Sequence, residues 1–170
     1  MLEYRFCPYC SKPLVRRNAF GATRPVCPNC GFVQFLDPKV AVIGLVTSDG
    51  RVLLVRRGVD PERGRWALPG GFMDAGEMPE QALKRELMEE VGLEINIEEL
   101  VGIYPMVPRR RIAGGIVLAY RATPAQGDCP ALEQNDDVDE ASWFAAGEIP
   151  ADVAFESSQE LLSEWLRAPA

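Results

Sequence analysis

Three glutamates, Glu86, Glu89 and Glu90, stand at i, i+3 and i+4 within the stretch Gly71–Leu93, GFMDAGEMPEQALKRELMEEVGL. That spacing puts all three carboxylates on one side of a helix. The neighbouring residues predict the helix itself: Pro79 suits its first turn and Gly92 its stop. Leu83, Leu87 and Val91 recur at i, i+4 and i+8, an apolar stripe beside the carboxylates. The fold must therefore bury one stripe of this helix and leave the adjacent one open at a site. Like charges this close repel. A divalent cation supplies the missing counter-charge, because hard cations such as Mg²⁺ prefer carboxylate oxygens.

The same stretch carries a family pattern. Gly71, five residues, Glu77, seven residues, then Arg85-Glu86-Leu87-Met88-Glu89-Glu90-Val91-Gly92-Leu93 matches the Nudix box at every specified position. With roughly one chance in fifteen per fixed position, a match at seven of them arises about once in a hundred million starts. From about Pro38 to Leu166 the chain thus resembles a Nudix hydrolase. The resemblance implies an α/β fold, an α/β/α sandwich with a mixed sheet. It also implies metal-dependent hydrolysis of the pyrophosphate bond in a nucleoside diphosphate joined to another group. Carried over residue by residue, Glu86, Glu89 and Glu90 would hold Mg²⁺ or Mn²⁺ and Gly71 would offer its backbone carbonyl. Glu77 would support the site, and Arg85 would orient the glutamates through charge-assisted hydrogen bonds.

The resemblance leaves the catalytic base open between a box glutamate and an acid on a later loop. Glu133, Asp136, Asp137, Asp139 and Glu140 lie in or beside that loop, and Glu140 is the expected base. Relatives acting on ADP-ribose often carry a proline about fifteen residues past the box, where this chain has Pro108. The SQPWPFPxS-like string of NADH pyrophosphatases is missing after the box. ADP-ribose or a related nucleotide sugar is therefore the expected substrate, with FAD, NADH and nucleoside triphosphates as alternatives. Arg109 is a candidate clamp for a terminal phosphate, and Tyr104, Phe72 and Trp66 are candidates to stack on a base. A homodimer is implied by the resemblance alone. A nucleotide-sensing regulator is the alternative from another class, although regulators of this kind often lose box glutamates and every one is intact here.

Four of the five cysteines form Cys7-x2-Cys10 and Cys27-x2-Cys30, sixteen residues apart. This is the spacing of a zinc ribbon, four thiolates around one structural Zn²⁺. Each pair sits in a turn, Cys7-Pro8-Tyr9-Cys10 and Cys27-Pro28-Asn29-Cys30-Gly31, where Gly31 or Asn29 can take the left-handed conformation. A module this small buries too little apolar surface to fold alone, and metal binding supplies the difference. The expected organisation is a zinc ribbon over 1–37 and a hydrolase domain over 38–170, divided at Asp37-Pro38. The rival reading, two disulfides, needs an exported chain. MLEYRFCPYC shows no apolar segment behind a basic one, so a cytoplasmic protein is expected. Cys129 is left over and has no assigned role.

Charge and composition narrow the chemistry further. The net charge of −7 argues against a general nucleic-acid binder. It is uneven: residues 1–37 carry a formal +3 and the remainder −10. Arg16, Arg17 and Arg24 tint the ribbon basic, and it reads as a structural or dimer-forming module. Histidine is absent, which excludes a Ser-His-Asp or Cys-His mechanism and a histidine base. No apolar run approaches the roughly 20 residues of a membrane span.

Elsewhere the pattern predicts strands at 40–47 and 51–56 joined by the turn Ser48-Asp49-Gly50, and a loop over 58–68. Further strands are predicted at 100–104 and 112–121, and an acidic loop over 123–140. Ser157-Ser158-Gln159-Glu160 predicts a capping box opening a last helix, with Leu161, Leu162, Trp165 and Leu166 in the core.

Overall fold

The computed structural model describes residues 3–107, 114–135 and 137–167. The chain divides into two units: Met1–Lys39 with Met106–Gly115, and Val40–Pro105 with Ile116–Ala170.

In the first unit, strands β1 (Val15–Ala19) and β2 (Ala22–Val26) form an antiparallel hairpin. The two cysteine turns are built alike. Ser11 N–H donates to the Cys7 carbonyl at 2.8 Å, and Gly31 N–H to that of Cys27 at 3.1 Å. Each turn ends on a left-handed residue, Ser11 at φ 57° and Gly31 at φ 79°. The expected glycine is therefore used in one turn, and a serine accepts the strained conformation in the other.

The second unit is a mixed six-stranded sheet between two helical layers. Its elements are β3 (Lys39–Ser48), β4 (Arg51–Arg57), β5 (Trp66–Ala67), α1 (Pro79–Val91), β6 (Ile95–Met106), β7 (Gly115–Pro124), β8 (Val138–Ala145) and α2 (Glu156–Arg167). The strand order is β5-β4-β3-β7-β6, and β8 pairs along β4. Side chains alternate across each strand. Val42, Val46, Leu53 and Val55 meet Leu83, Leu87 and Val91 of α1 on one face. Leu45, Val52 and Leu54 meet Leu161 and Leu162 of α2 on the other. Both faces are covered, so β3 and β4 read as near-continuous apolar runs. Asp49 (φ 46°) and Gly50 (φ 69°) turn β3 into β4, both left-handed as a tight hairpin requires.

Proline and glycine set the limits of α1. Pro79 opens it, and Gly92 closes it at φ 65° with its N–H on the Leu87 and Met88 carbonyls. Elsewhere the structure departs from expectation. Strand β8 occupies the end of the acidic segment expected as loop to residue 140: it pairs along β4, with Val138, Ala141 and Trp143 packed in the α1 layer and Phe144 in the α2 layer. Helix α2 begins at Glu156, a residue before the expected serine cap, so Ser157 lies within it. Leu161 and Leu162 are buried, but Leu166 is 47% exposed at the end of the helix. Pro108 and Ile112 lie outside the described residues. No described helix is long and apolar enough to cross a membrane.

Candidate active site

Helix α1 brings Glu86, Glu89 and Glu90 to one side, at graded depths. Glu90 is only 5% exposed. Its Oε2 accepts the Gly70 N–H at 3.0 Å. Burial pushes its carboxyl up to about 8, and the charges of Asp137 and Glu86 push the same way. Glu86 is also raised, first by burial and then by Glu89 and Asp137 against the pull of Arg85. These groups are close enough to resist joint ionisation, which is the condition a divalent cation relieves. The donor set therefore fits Mg²⁺ or Mn²⁺.

Arg85 ties the cluster together. Its Nε and Nη2 grip both oxygens of Glu77 at 2.9 and 3.0 Å. Its Nη1 reaches Glu86 and Glu89, each at 2.9 Å, and its Nη2 also meets the Phe72 carbonyl at 3.0 Å. Glu77 in turn accepts the Asp74 N–H at 3.0 Å, and Arg85 holds its carboxyl below the usual range. One guanidinium thus fixes three glutamates and the loop before the helix.

Gly71 lies directly against this cluster. A Cβ there would meet the Glu86 carboxyl carbon at 2.5 Å, so any other residue would displace the Glu86 carboxylate from its place against the loop. The Gly71 carbonyl accepts the Val42 N–H at 2.8 Å, which leaves its second lone pair for a cation.

Among the described acids after β7, Asp137 is the one whose charge reaches both Glu86 and Glu90. Its carbonyl accepts the Gly58 N–H at 2.6 Å, which pins it beside the end of β4. Glu140 lies instead within β8, opposite Arg56, and meets that guanidinium at 3.4 Å in solvent. Glu133 packs over Gly92 and takes an Asn135 amide hydrogen bond at 2.8 Å. Asp136 and Arg109 lie outside the described residues. Tyr104 belongs to the apolar layer beneath α2, on the opposite face of the sheet from α1, where burial and then Glu164 and Glu160 raise its hydroxyl. Trp66 is buried in the same layer, edge-on to Phe144. Phe72 is the exposed ring beside Gly71.

Arg57, which no sequence motif marks, also belongs here. Its positive charge reaches Glu90. Its Nε donates to the Pro61 carbonyl at 2.8 Å, and its guanidinium lies 5.1 Å from the centre of the Phe155 ring. Phe155 takes φ 60°, rare for a bulky residue and a mark of functional sites. An arginine ending an apolar strand was the available signal, but Arg56 beside it looks the same in sequence.

In the first unit, the four sulfurs of Cys7, Cys10, Cys27 and Cys30 lie within 4.8 Å of one another, and none is in a disulfide. Their closest separations are 3.4 to 3.6 Å, near the roughly 3.8 Å of a tetrahedron with Zn–S bonds of about 2.3 Å. The Cys30 backbone N–H, aimed at the Cys27 sulfur with that of Asn29, draws the Cys27 thiol down to about 6. The cysteines fit Zn²⁺.

Comparison with known proteins agrees with this geometry. The family model for the NUDIX domain matches residues 36–166. The ADP-ribose pyrophosphatase of Methanocaldococcus jannaschii is 33% identical over 133 residues, which cover 78% of this chain and 76% of that protein. The NAD-capped RNA hydrolase NudC of Pseudomonas aeruginosa is 32% identical over 151 residues, 86% of this chain but only 49% of that protein. A NUDIX hydrolase structure from Nitrosomonas europaea superposes with a TM-score of 0.84 at 30% identity, covering 96% of this chain and 90% of the other.

Proposed function

The chain belongs to the Nudix family, and from that premise we propose that it is a pyrophosphohydrolase of ADP-ribose or a closely related nucleotide sugar, yielding AMP and a sugar phosphate. One observation carries the chemistry: Glu86, Glu90 and Asp137 share one site beside Gly70 and Gly71, with Glu90 buried. The substrate choice is supported by the likeness to an ADP-ribose pyrophosphatase over three quarters of both chains.

Glu86, Glu89, Glu90 and the Gly71 carbonyl would hold Mg²⁺ or Mn²⁺, which neutralises phosphate charge and acidifies water. Arg85 keeps those carboxylates in register. Arg57, braced by Phe155 and Pro61, binds a substrate phosphate oxygen, and Arg109 is a second candidate for that task. Phe72 is better placed than Tyr104 or Trp66 to meet the base. Asp137 replaces Glu140 as the proposed base. It takes a proton from the attacking water as the new P–O bond forms and the bridging P–O bond breaks. The departing phosphate leaves as a dianion or gains its proton from solvent. Zn²⁺ on the four cysteines is assigned a structural role.

A hydrolysis panel tests this reading: ADP-ribose, NADH, FAD and nucleoside triphosphates, each with Mg²⁺ and Mn²⁺, and Glu90→Gln alongside. Preference for ADP-ribose with AMP as product, lost in the variant, supports both substrate and site. Preference for NADH or FAD keeps the chemistry and replaces the substrate. Nucleotide binding without turnover moves the protein to the sensing class.

A further inference from the structure

We infer that the hairpin of the amino-terminal unit is a docking surface for single-stranded nucleic acid, through a platform of Arg17, Arg24, Phe20 and Phe35. Between Glu3 and Asp37 the chain holds five Lys or Arg and no Asp or Glu, across 33 residues. Such a segment in a chain of net charge −7 selects a polyanionic partner.

The hairpin register gathers the cations. Arg17 and Arg24 are Cα partners, so their side chains share one face. Arg24 is held in place: its Nη1 donates to the Ala19 and Phe20 carbonyls, and its guanidinium covers the Phe35 ring at 4.9 Å. Phe35 lies 5.5 Å from Phe20, centre to centre. Arg17 makes no ion pair among the described residues, whereas Arg16 on the opposite face is spent on Glu3 at 2.6 Å. The rings are open to solvent, Phe20 at 75% and Phe35 at 48%. The cysteine thiolates do not cancel this charge. Cys27 lies three residues past Arg24, about 10 Å along the strand and about one Debye length away, so screening damps its charge at Arg17 and Arg24.

The rings decide between polyanions. An aromatic face carries a negative quadrupole, so an acidic peptide, or the acidic unit of a second copy, gains nothing from Phe20 and Phe35. A base stacks on both rings and on the guanidinium plane, while its phosphates meet Arg17 and Arg24. Stacking needs bases outside a duplex, which makes the ligand single-stranded.

Fluorescence anisotropy of the full chain with labelled 20-mer oligouridylate and oligothymidylate tests this. Binding at 50 mM salt should weaken about sevenfold by 200 mM, for two phosphates at a log–log slope of about −0.7 each. Arg17→Ala with Arg24→Ala should cost at least tenfold and flatten that slope. Phe20→Ala with Phe35→Ala should cost at least fivefold and keep the slope, since a stacked base contributes about 1–3 kcal/mol. Arg17→Glu, at an exposed side chain without an ion pair, tests the charge without risk to the hairpin. The inference is overturned by equal binding of duplex, by a heparin fragment binding as well as the oligonucleotides with the ring variants unaffected, or by no binding. A fourth overturning result is loss of a dimer in these variants on sedimentation without nucleic-acid binding, which would make the face a self-association surface.

Discussion

Glu90 is the residue on which opposing demands meet. It is buried like a core side chain, yet the metal-holding role proposed for it requires a charge. Its carboxyl, raised from 4.5 to about 8, binds a proton in the folded state that the unfolded chain has already released. The stability this contributes is present below about pH 4.5 and is lost as pH rises through 8. Metal-stripped protein should therefore melt at a lower temperature at pH 8.5 than at pH 6. The loss should be on the order of a few kcal/mol, since each tenfold change in proton affinity is about 1.4 kcal/mol. Glu90→Gln keeps an acceptor for the Gly70 N–H and removes the charge, so it should melt nearly alike at both pH values. Added Mg²⁺ should restore the wild-type protein most at pH 8.5, where the ligand is deprotonated. A metal-free wild type that is more stable at pH 8.5 would mean Glu90 is not held protonated. The base is decided at the same scale. Asp137→Asn should lower kcat at least a hundredfold, within the range of general-base losses. Glu140→Gln, which only releases an exposed pair with Arg56, should stay within threefold. The reverse result would return the role to Glu140.

At the level of elements, helix α1 was legible to the residue, and the reason is local. Proline at its first position and a left-handed glycine after its last act within one turn. Strand β8 was not legible, because its identity rests on pairing with β4, far away in sequence, while its acidic lead-in resembles an ordinary loop. The same distance hid what separates the described acids: in the fold the Asp137 charge acts on Glu86 and Glu90, whereas Glu140 pairs with Arg56. Helix α2 starts one residue earlier than its serine motif suggests, so Ser157 and the buried Ser158 lie within its first turn and not at a cap. Two substitutions separate the stripes of α1. Leu87→Ala empties a fully buried position and should cost about 2–5 kcal/mol by denaturant melts. Gly71→Ala pushes only the end of the flexible Glu86 side chain. It should lower kcat at least tenfold while moving the Tm by no more than about 3 °C. A large Tm loss there would make Gly71 a packing residue first.

Across the whole molecule, each of the two units is stabilised internally by different physics. The larger one buries an apolar layer on each face of its sheet. The smaller one buries little: among the described residues 3–39, Cys7, Pro25, Cys27 and Gln34 are the buried ones. That cannot offset the ordering of nearly forty residues at roughly 1–2 kcal/mol each for the backbone alone. Four converging thiols can, because a structural Zn²⁺ contributes on the order of 10 kcal/mol or more to folding. The purified protein should thus carry one zinc per chain by elemental analysis, and Cys7→Ser should lose it. Hydrogen exchange should then quicken across residues 3–37, first at the Cys27, Gln34 and Leu14 amides whose bonds close the two turns and the hairpin. Amides of α1 should keep their protection, since their stability comes from Leu83, Leu87 and Val91 and no part of it from the metal. Zinc content unchanged in Cys7→Ser would rule the metal out as the source of this unit's stability. The smaller unit would then need another source, and a partner covering its open aromatic face would be the one with enough surface to supply it.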